Sequence, residues 1–531
     1  MIRRDFLRNS SSGLFSALLP AGSAVAQPHT APTPIAGSPV FNVHTYGAVG
    51  DGVTIDTPAV NRAIEAAAAK GGGTVYFPAG AYACYTIRLK SHVSLHLDAG
   101  ATILAASIPH EGTKTGGYDP AGPPQPWEAY QDFGHNHWAN SLLYGEGLEG
   151  VSIYGPGLIW GKGLSRGERD EFPLAESPGA GNKTIALKNC RNVILRDFSV
   201  LMGGHFAVLL TGVDNVVIDG LTIDTNRDGI DIDCCRNVRV SNCVVNSPWD
   251  DAICPKSSFA LGYARSTENV TISNCYVTGM YEFGSVLSGK FIAKTYSDVR
   301  KSVGRIKCGT ESNGGFKSIT VTNCILEGCR GFALETVDGA HIEDITVSNL
   351  SMRGLVHSPI FLRLGKRMRG PKDTKPGVLR RVLFSNIVSS NAVAQYPSIV
   401  AGVSDARIED IKFDNIYLHQ TGGGTAEWAA LQPPEKDAGY PEADMFGTLP
   451  ARGFFLRQAR NVEMSNIEIA TTQPDARPAI WASNVDGLDV FRLRAGQGSA
   501  AYALRDVKRF RSFGSADFAD RAADAVEELH F

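Results

Sequence analysis

This chain of 531 residues lacks the features that mark several large classes of protein. Its formal net charge is -3, whereas a nucleic-acid-binding protein usually carries a strong positive excess. Beyond the N-terminus it has no apolar run of about 20 residues, the length that crosses a bilayer. None of its 10 cysteines forms a C-x-x-C pair, so a zinc ribbon is not expected. We expect neither nucleic acid nor a membrane as a partner, and we expect the thiols to be buried as small apolar groups.

The first 26 residues have the pattern of an export signal. Arg3 and Arg4 precede a short apolar run, Gly13–Leu19, and Ala24-Val25-Ala26 is a small-residue cleavage site. The pattern predicts a twin-arginine signal peptide over residues 1–26. The mature chain would then cover residues 27–531 and be periplasmic or secreted.

An internal repeat determines the expected fold. Short β-branched segments recur along the chain, and Asn192, Asn215 and Asn237 begin successive copies that are 23 and 22 residues apart. Within each copy, apolar residues alternate with polar ones, as in a strand with one buried face. A unit this short cannot bury its face alone, so stacked units must share a core. The repeat lacks a leucine-rich consensus and is shorter than a propeller blade of roughly 40–50 residues. We therefore predict an all-β fold, a single-stranded parallel β-helix.

Residues 40–105 are expected to form an N-terminal cap and the first coils. Thr57 is predicted as the N-cap of a helix that continues to Ala69, with Pro58 in its first turn. Such a helix would cover the open end of the solenoid core. Residues 110–140 and 421–452 break the repeat and are candidate loops around a cleft. No linker divides the mature chain, so we predict one catalytic domain.

Three aspartates follow the period of the repeat. Asp228 lies 22 residues before Asp250 and 23 before Asp251, so adjacent coils would place all three at one angular position. Parallel strands lie roughly 4.8 Å apart, which would bring the carboxylates into one patch. Mutual repulsion should then raise at least one pKa, as a general acid requires. A single such aspartate is typical of a solvated turn, but three at the coil period favour a shared site.

A basic pair follows the aspartates at Arg305 and Lys307. Carboxylates can protonate a leaving oxygen and activate a water, and the two cations can hold a substrate carboxylate. The combination indicates chemistry on an anionic sugar polymer.

A calcium loop is the main alternative for the first acidic cluster. Asp224-Thr225-Asn226-Arg227-Asp228-Gly229 matches the opening of such a loop, but its twelfth position is Cys235 instead of Glu. No flanking helices are expected either. We predict no metal site and no cofactor.

The chain resembles glycoside hydrolase family 28, the polygalacturonases, over most of its mature length. Tyr46-Gly47-Ala48-Val49-Gly50-Asp51-Gly52, together with the stretch from Gly73 to Tyr82, is similar to the N-terminal signature of pectin-acting β-helix proteins. More specific is the ordered set Asn-x-Asp-Gly-Ile-Asp, Asp-Asp and Arg-Ile-Lys, which ends at Lys307. The family pattern opens on Asn-Thr-Asp, and this chain has Arg227 in place of the threonine.

The resemblance implies inverting hydrolysis of α-1,4-galacturonosyl linkages in pectin. Asp250 would be the general acid, and Asp228 and Asp251 would hold and deprotonate the attacking water. Inversion needs carboxyl groups roughly 6.5–9.5 Å apart. Arg305 and Lys307 would pair with a galacturonate carboxylate near the scissile bond.

One departure from the family pattern concerns substrate contacts. The family has Gly-His-Gly between the aspartate pair and Arg-Ile-Lys, but residues 278–285 contain no histidine. Tyr281 and Glu282 are local candidates for its role, and His205 lies one coil before Asp228. Further along, Arg363 is a candidate for contact with another sugar unit, or for a structural salt bridge.

We therefore predict an exported, monomeric, right-handed parallel β-helix that hydrolyses a pectic polysaccharide or oligogalacturonide, with an exo mode favoured by the long loops. Three alternatives stay open. They are a pectate-lyase-like elimination on the same scaffold, a rhamnogalacturonan-directed hydrolase, and a non-catalytic carbohydrate-binding β-helix.

Overall fold

The computed structural model describes residues 39–107, 117–165, 176–496 and 500–531, except for the side chain of residue 296. The predicted signal peptide, residues 1–26, lies outside these ranges, as does part of the predicted loop 110–140. Export therefore stays a prediction from the sequence. Among the described residues, no helix is long and apolar enough to cross a membrane.

The described residues form a parallel β-helix, as predicted. Strands on successive coils pair in parallel, and Val193 pairs with Val216, which pairs with Val238. These pairings reproduce the spacing of the sequence repeat. Leu195, Ile218 and other alternate residues face a single continuous apolar core, in which their side chains are 0% exposed. All ten thiols are free and buried, as expected.

The strands are numbered in chain order. The first coils contain β1 (Val40–Asn42), β2 (Asp51–Ile55), β3 (Gly73–Phe77), β4 (Gly80–Cys84), β5 (Ile87–Arg88), β6 (Val93–Leu97) and β7 (Ala101–Ala105). The middle coils contain β8 (Ser141–Glu146), β9 (Glu149–Tyr154), β10 (Leu158–Trp160), β11 (Lys183–Lys188), β12 (Arg191–Arg196), β13 (Ser199–Leu201), β14 (Phe206–Thr211), β15 (Asp214–Asp219), β16 (Thr222–Asp224), β17 (Asp228–Asp233), β18 (Arg236–Ser241), β19 (Val244–Asn246), β20 (Ile253–Lys256), β21 (Thr267–Ser273), β22 (Tyr276–Thr278), β23 (Ile306–Cys308), β24 (Phe316–Thr322) and β25 (Ile325–Glu327). The last coils contain β26 (Phe332–Thr336), β27 (His341–Arg353), β28 (Ile360–Leu364), β29 (Val378–Ala392), β30 (Ser398–Ala401), β31 (Ile408–Gly422), β32 (Phe454–Gln473), β33 (Ile480–Phe491), β34 (Tyr502–Phe513) and β35 (Arg521–His530).

Helical segments are few and short. The α-helices are α1 (Thr57–Ala69), α2 (Phe133–Asn136), α3 (Tyr296–Val299) and α4 (Ala426–Ala429), and the 3-10 helices are Val43–Tyr46, Glu128–Tyr130 and Ala443–Phe446. The first of these, α1, packs Val60 and Ile64 against the first coils, as the predicted cap. The predicted N-cap is wrong by one residue, because α1 begins at Thr57 and Asp56 precedes it. The Asp56 carboxylate is occupied elsewhere, accepting the N–H groups of Val49 and Gly50 at 2.7 and 3.0 Å.

Asparagines hold the corners between strands. Asn192, Asn215 and Asn237 all have φ between 55° and 58°, a left-handed conformation that asparagine tolerates better than most residues. The side-chain amide of Asn215 donates to Asn192 at 3.0 Å, and that of Asn237 donates to Asn215 at 3.1 Å. The repeated asparagine therefore both turns the chain and links one coil to the next.

One face of the solenoid carries the candidate site. This face, here called the site sheet, is formed by β8, β11, β14, β17, β20, β23, β26, β28, β30, β32, β33 and β34 in that order. Its outward side is covered at both ends. Trp138 packs on Leu209 and Phe206 at one end, and at the other end Phe446 belongs to an apolar cluster with outward residues from Ala333 onward.

Candidate active site

The sequence folds so that three predicted segments reach the same corner of the site sheet. Ile230 in β17 pairs with Ile253 in β20, and Ile253 pairs with Ile306 in β23. All three isoleucines point into the core, so the residues beside them face outward. Asp228 begins β17, Asp250 and Asp251 form the turn before β20, and Arg305 and Lys307 flank Ile306.

A steric constraint explains why glycine occupies position 304, directly before Arg305. Gly304 has a φ of 50°, and a Cβ there would lie 2.4 Å from main-chain atoms of Thr278. Its N–H donates to the main-chain oxygen of Asp250 at 2.9 Å. Because this contact needs close backbone approach, only glycine fits before Arg305. The Gly-Arg-Ile-Lys segment is thereby fixed against the turn that carries the aspartate pair.

The three aspartates converge, as the coil period predicts. One oxygen of each of Asp228, Asp250 and Asp251 lies within 4.8 Å of one oxygen of the other two. Asp228 and Asp251 are 2% and 1% exposed, whereas the side chain of Asp250 is 26% exposed. This separation is shorter than the roughly 6.5–9.5 Å expected of an inverting pair.

Asp251 is held in its ionised form by two cations. Arg305 donates from Nε to Oδ1 at 2.9 Å, and Lys307 Nζ lies 2.5 Å from Oδ2. Burial alone would raise the pKa of Asp251, but the charges of Lys307 and Arg305 outweigh it and lower that pKa well below its ordinary value. Asp251 is thus ionised and unsuited to donate a proton.

Asp228 has the opposite character. Burial raises its pKa well above the ordinary value, and the nearby charges of Asp231 and Asp250 raise it further. Lys256 Nζ lies 3.7 Å from Oδ2 and only partly offsets this. Oδ1 has no hydrogen-bond partner among the described residues. The predicted rise in one carboxyl pKa is therefore present, and its main cause is burial more than mutual repulsion.

A second buried cluster adjoins the three aspartates and was not predicted. Lys256 Nζ lies 3.2 Å from Asp231 Oδ2 and 3.7 Å from Glu311 Oε2. His135 Nε2 lies 3.9 Å from both carboxylates. Burial lowers the pKa of His135 to about 4, so its ring is neutral at pH 7. Asp231 belongs to the acidic motif in the sequence, whereas His135 comes from α2, within an insertion that no repeat predicts.

Arg305 is shared between the aspartates and the segment of residues 421–452. Its Nη2 and Nη1 atoms donate to Glu442 Oε1 and Oε2 at 2.6 and 3.1 Å. Glu442 also lies 3.1 Å from Arg330 Nη1 and 3.7 Å from His357 Nδ1. A substrate carboxylate would have to displace Glu442 to reach the end of this guanidinium. The substrate contact predicted for Arg305 therefore stays a prediction, and it would require breaking the hydrogen bonds between Arg305 and Glu442.

The other predicted binding residues differ in position. His205 lies at the same corner, one coil before Asp228, where its buried ring stacks on Phe206 at 4.3 Å. The hydroxyl of Tyr281 donates to Glu327 Oε2 at 3.2 Å. Glu282 is exposed. The structure therefore joins His205 to the site corner and shows for Tyr281 and Glu282 no contact with the aspartates among the described residues.

The structural alternative holds for Arg363. Its side chain is buried, and its two Nη atoms donate to four main-chain oxygens, two on the neighbouring coil and two on the segment 421–452. Those acceptors are Ala401, Gly402, Glu435 and Lys436. The sequence-based expectation of a sugar contact is therefore corrected, because the guanidinium attaches the segment to the solenoid.

The three aspartates are also the described group whose oxygens could surround a metal ion. Arg305 and Lys307 both contact Asp251, so two positive charges already neutralise this acidic group without a metal ion. The donor set therefore fits proton and water chemistry better than cation binding. A cavity of about 750 Å³ beside Thr471, Arg494 and Asp517 contains none of these site residues.

Comparisons with known proteins agree with this architecture. The family model described as rhamnogalacturonase A/epimerase, pectate lyase-like, matches residues 40–113, and the model of a right-handed β-helix region matches residues 175–299 and 207–358. A probable polygalacturonase of Vitis vinifera is 27% identical over 316 residues, which cover 56% of this chain and 60% of the relative. An exo-poly-alpha-D-galacturonosidase of Dickeya chrysanthemi is 22% identical over 470 residues, which cover 73% of this chain and 72% of the relative.

This chain is a right-handed parallel β-helix protein. The family 28 exopolygalacturonase of Yersinia enterocolitica has the same fold, with a TM-score of 0.61 at 18% identity, over 86% of this chain and 79% of that one. The β-helix protein described here spans about three fifths of the length of the Vitis vinifera relative.

Proposed function

We propose that this protein hydrolyses galacturonosyl linkages in pectic polysaccharide, acting from a chain end. The observation that carries the proposal is the convergence of the carboxyl groups of Asp228, Asp250 and Asp251 within 4.8 Å of one another, beside Arg305 and Lys307. Paired carboxyl groups are what acid–base hydrolysis of a glycosidic bond requires. The named relatives that act on polygalacturonate support the choice of substrate.

Each aspartate has a separate task in this mechanism. Asp250, the most exposed of the three, faces the solvent side and gives its proton to the departing glycosidic oxygen. Asp251 accepts a proton from the attacking water, and Asp228 orients that water through its free oxygen Oδ1. Water supplies the hydroxyl that bonds to the anomeric carbon, so the net reaction consumes one water for each bond broken.

Inversion is supported by the state of the two buried carboxylates. A covalent intermediate would need a carboxylate oxygen free to attack the sugar. Both oxygens of Asp251 are paired with cations, and burial raises the pKa of Asp228, which disfavours its ionised, nucleophilic form. These contacts favour attack by water despite the short distance between the carboxylates.

The covered ends of the site sheet support the exo mode. On β14, the outward residue that pairs with Asp231 is Leu209, which belongs to the apolar cluster with Trp138. On β26, the outward residue that pairs with Lys307 is Ala333, which belongs to the apolar cluster with Phe446. Between these two covers, β17, β20 and β23 carry the charged residues Asp231, Lys256 and Lys307, on strands that lie roughly 4.8 Å apart. A polymer lying along the sheet would meet a cover on both sides, whereas a chain end could enter from above.

Aromatic side chains at the mouth suit a sugar ligand. Trp249, next to Asp250, is 42% exposed and packs edge-to-face on Phe283 at 5.6 Å. Tyr440 is 53% exposed, and its hydroxyl lies 3.3 Å from Thr310 Oγ1 beside Lys307. Exposed aromatic rings with one polar edge can pack on the apolar face of a sugar.

Lyase chemistry is less well supported on the same site. Elimination from a uronate needs a base, and Lys256 and Lys307 are lysines beside the site aspartates. Burial would lower the pKa of each, but adjacent carboxylates raise it well above the ordinary value. Both lysines therefore stay protonated. Calcium-dependent release of an unsaturated, ultraviolet-absorbing product would contradict the hydrolase proposal.

The proposal is tested by measuring reducing-sugar release from polygalacturonate and other pectin fragments. Asp250→Asn should lower the rate by about 10²–10⁴-fold, the contribution of a general acid. Asp197→Asn is the matched control, because Asp197 is an exposed corner residue with a φ of 65°, which asparagine also adopts. Equal activity of Asp250→Asn and the wild type, or an inactive wild type, would refute the function.

A further inference from the structure

The cations of the candidate site differ in how far the fold exposes them. Arg305 uses Nε for Asp251 and both Nη atoms for Glu442. Lys307 contacts Asp251 and Thr310, and its side chain is 4% exposed. Separating buried charges that are paired this closely is costly, because each partner is left without compensation. The residues that the family motif assigns to the substrate are thus committed to holding Asp251.

Arg227 is placed differently. It lies in the turn between β16 and β17, its side chain is 18% exposed, and its Nη2 donates to Asp250 Oδ2 at 2.9 Å. Asp250 is itself partly exposed, so this ion pair is at the open side of the site. Arg227 also occupies the position where the family motif has threonine, so this cation is a particular feature of the present chain.

The two turns that carry this pair are fixed independently of the pair. Ser247 Oγ donates to the main-chain oxygens of both Arg227 and Asp250, at 2.5 and 2.9 Å. The Arg227 and Asp250 side chains can therefore separate without moving the backbone of either turn. A guanidinium at the mouth of a pocket matches a carboxylate in geometry and charge.

The ion pair occupies the carboxyl group to which the proposed mechanism assigns the glycosidic oxygen. If Arg227 turns to another carboxylate, Asp250 Oδ2 loses its hydrogen bond of 2.9 Å and can face the substrate instead. Asp228 and Asp251 face it from β17 and from its own turn, and Arg305 and Lys307 lie behind Asp251 on the β23 segment.

We propose that Arg227 receives the carboxylate of the galacturonate unit on the leaving-group side, exchanging its hydrogen bond to Asp250 Oδ2 for one to the substrate. Arg227 would thus be a specificity-determining residue that selects a uronate with a free carboxylate and releases Asp250 to face the glycosidic oxygen. This inference rests on the proposed hydrolase function.

The test compares oligogalacturonide with its methyl-esterified form, using Arg227→Thr, Arg227→Lys and the wild type. On the free acid, Arg227→Thr should raise KM about tenfold to hundredfold, the value of a charged hydrogen bond to a carboxylate. On the methyl ester its KM should equal that of the wild type, and Arg227→Lys should recover part of the loss on the free acid.

Arg196→Thr is the matched control. Arg196 is an exposed arginine at the end of β12, away from the site sheet, and it lies beside Asp197 and Asp219. An equal change on both substrates, or no change on either, would overturn the role of Arg227. These outcomes are distinct from failure of the proposed function, in which the wild type itself releases no reducing sugar from either substrate. Circular dichroism of each variant separates a folding defect from a binding defect, and Arg227→Lys provides a second variant of nearly unchanged shape.

Discussion

Arg305 and Glu442 form a two-point ion pair, with Nη2–Oε1 and Nη1–Oε2 distances of 2.6 and 3.1 Å across 137 residues of sequence. The pair joins a strand of the repeat to an insertion that lies over it. It also fixes the guanidinium that contacts Asp251 through Nε. The position of the insertion and the charge of a catalytic candidate are therefore coupled.

Glu442→Gln should reduce stability. The substitution leaves the buried Arg305, and Arg330 beside it, without their shared carboxylate. Breaking a buried ion pair costs about 3–5 kcal/mol in the free energy of unfolding, which urea denaturation measures. Glu427→Gln, an exposed position on α4 in the same insertion, is the control and should leave the unfolding curve unchanged. Equal stability of the two variants would show that the pair carries no net energy.

Product size early in the reaction should reveal the exo mode. Because both ends of the site sheet are covered, polygalacturonate should release one small product from the first minutes, while solution viscosity falls slowly. Chromatography of the products and viscometry, on the same samples, measure the two quantities. A ladder of medium-sized oligomers at early times would contradict the pocket geometry.

The anomer formed first distinguishes the two possible mechanisms. Cation pairing of Asp251 and protonation of Asp228 favour direct attack by water, so the initial product of an α-linkage should be the β-anomer. Proton nuclear magnetic resonance during the first turnovers, before mutarotation, measures it. Initial release of the α-anomer would instead agree with the short distance among the three carboxylates and indicate a covalent intermediate.

Stability should depend on pH through Asp231. Burial raises its pKa from 3.8 to about 8, although Lys256 lowers it in part. Over that window the folded protein keeps a proton that the unfolded chain has lost, so the contribution is present at low pH and is lost as pH rises through the folded value. Relative to Asp231→Asn, the wild type should lose up to about 1.4 kcal/mol of unfolding free energy per pH unit.

Urea denaturation of both proteins at several values between about pH 5 and pH 8 measures this difference. A difference that stays constant over this range would show that Asp231 is ionised in both the folded and the unfolded protein. Asp197→Asn again provides the control, because Asp197 is exposed on the outside of the solenoid.

The repeat accounts for how much of the site could be predicted. Asp228 and Asp251 converge because one coil contains 22–23 residues, and their spacing in the sequence states this directly. The same logic identified the corner asparagines and placed His205 one coil earlier. The prediction of a sugar contact for Arg363 was wrong. The position of an arginine on a strand does not indicate whether it will donate to a sugar or to main-chain oxygens.

Glu442 and His135 could not have been found in this way. Each comes from an insertion whose path depends on packing against the outside of the solenoid, through Phe446 and Trp138 respectively. Those apolar contacts have no period in the sequence. The sequence around Glu442 also does not indicate that its carboxylate would pair with Arg305, the arginine expected to bind substrate.

The sequence by itself determined the solenoid, the meeting of the three aspartates and the cations beside them, because a strand repeat of constant length converts spacing directly into position. Tertiary structure alone decided which aspartate is ionised, how both ends of the site sheet are covered and which arginine is partly exposed. Those properties depend on burial and on side chains brought in from distant insertions, and both arise only when the chain has folded.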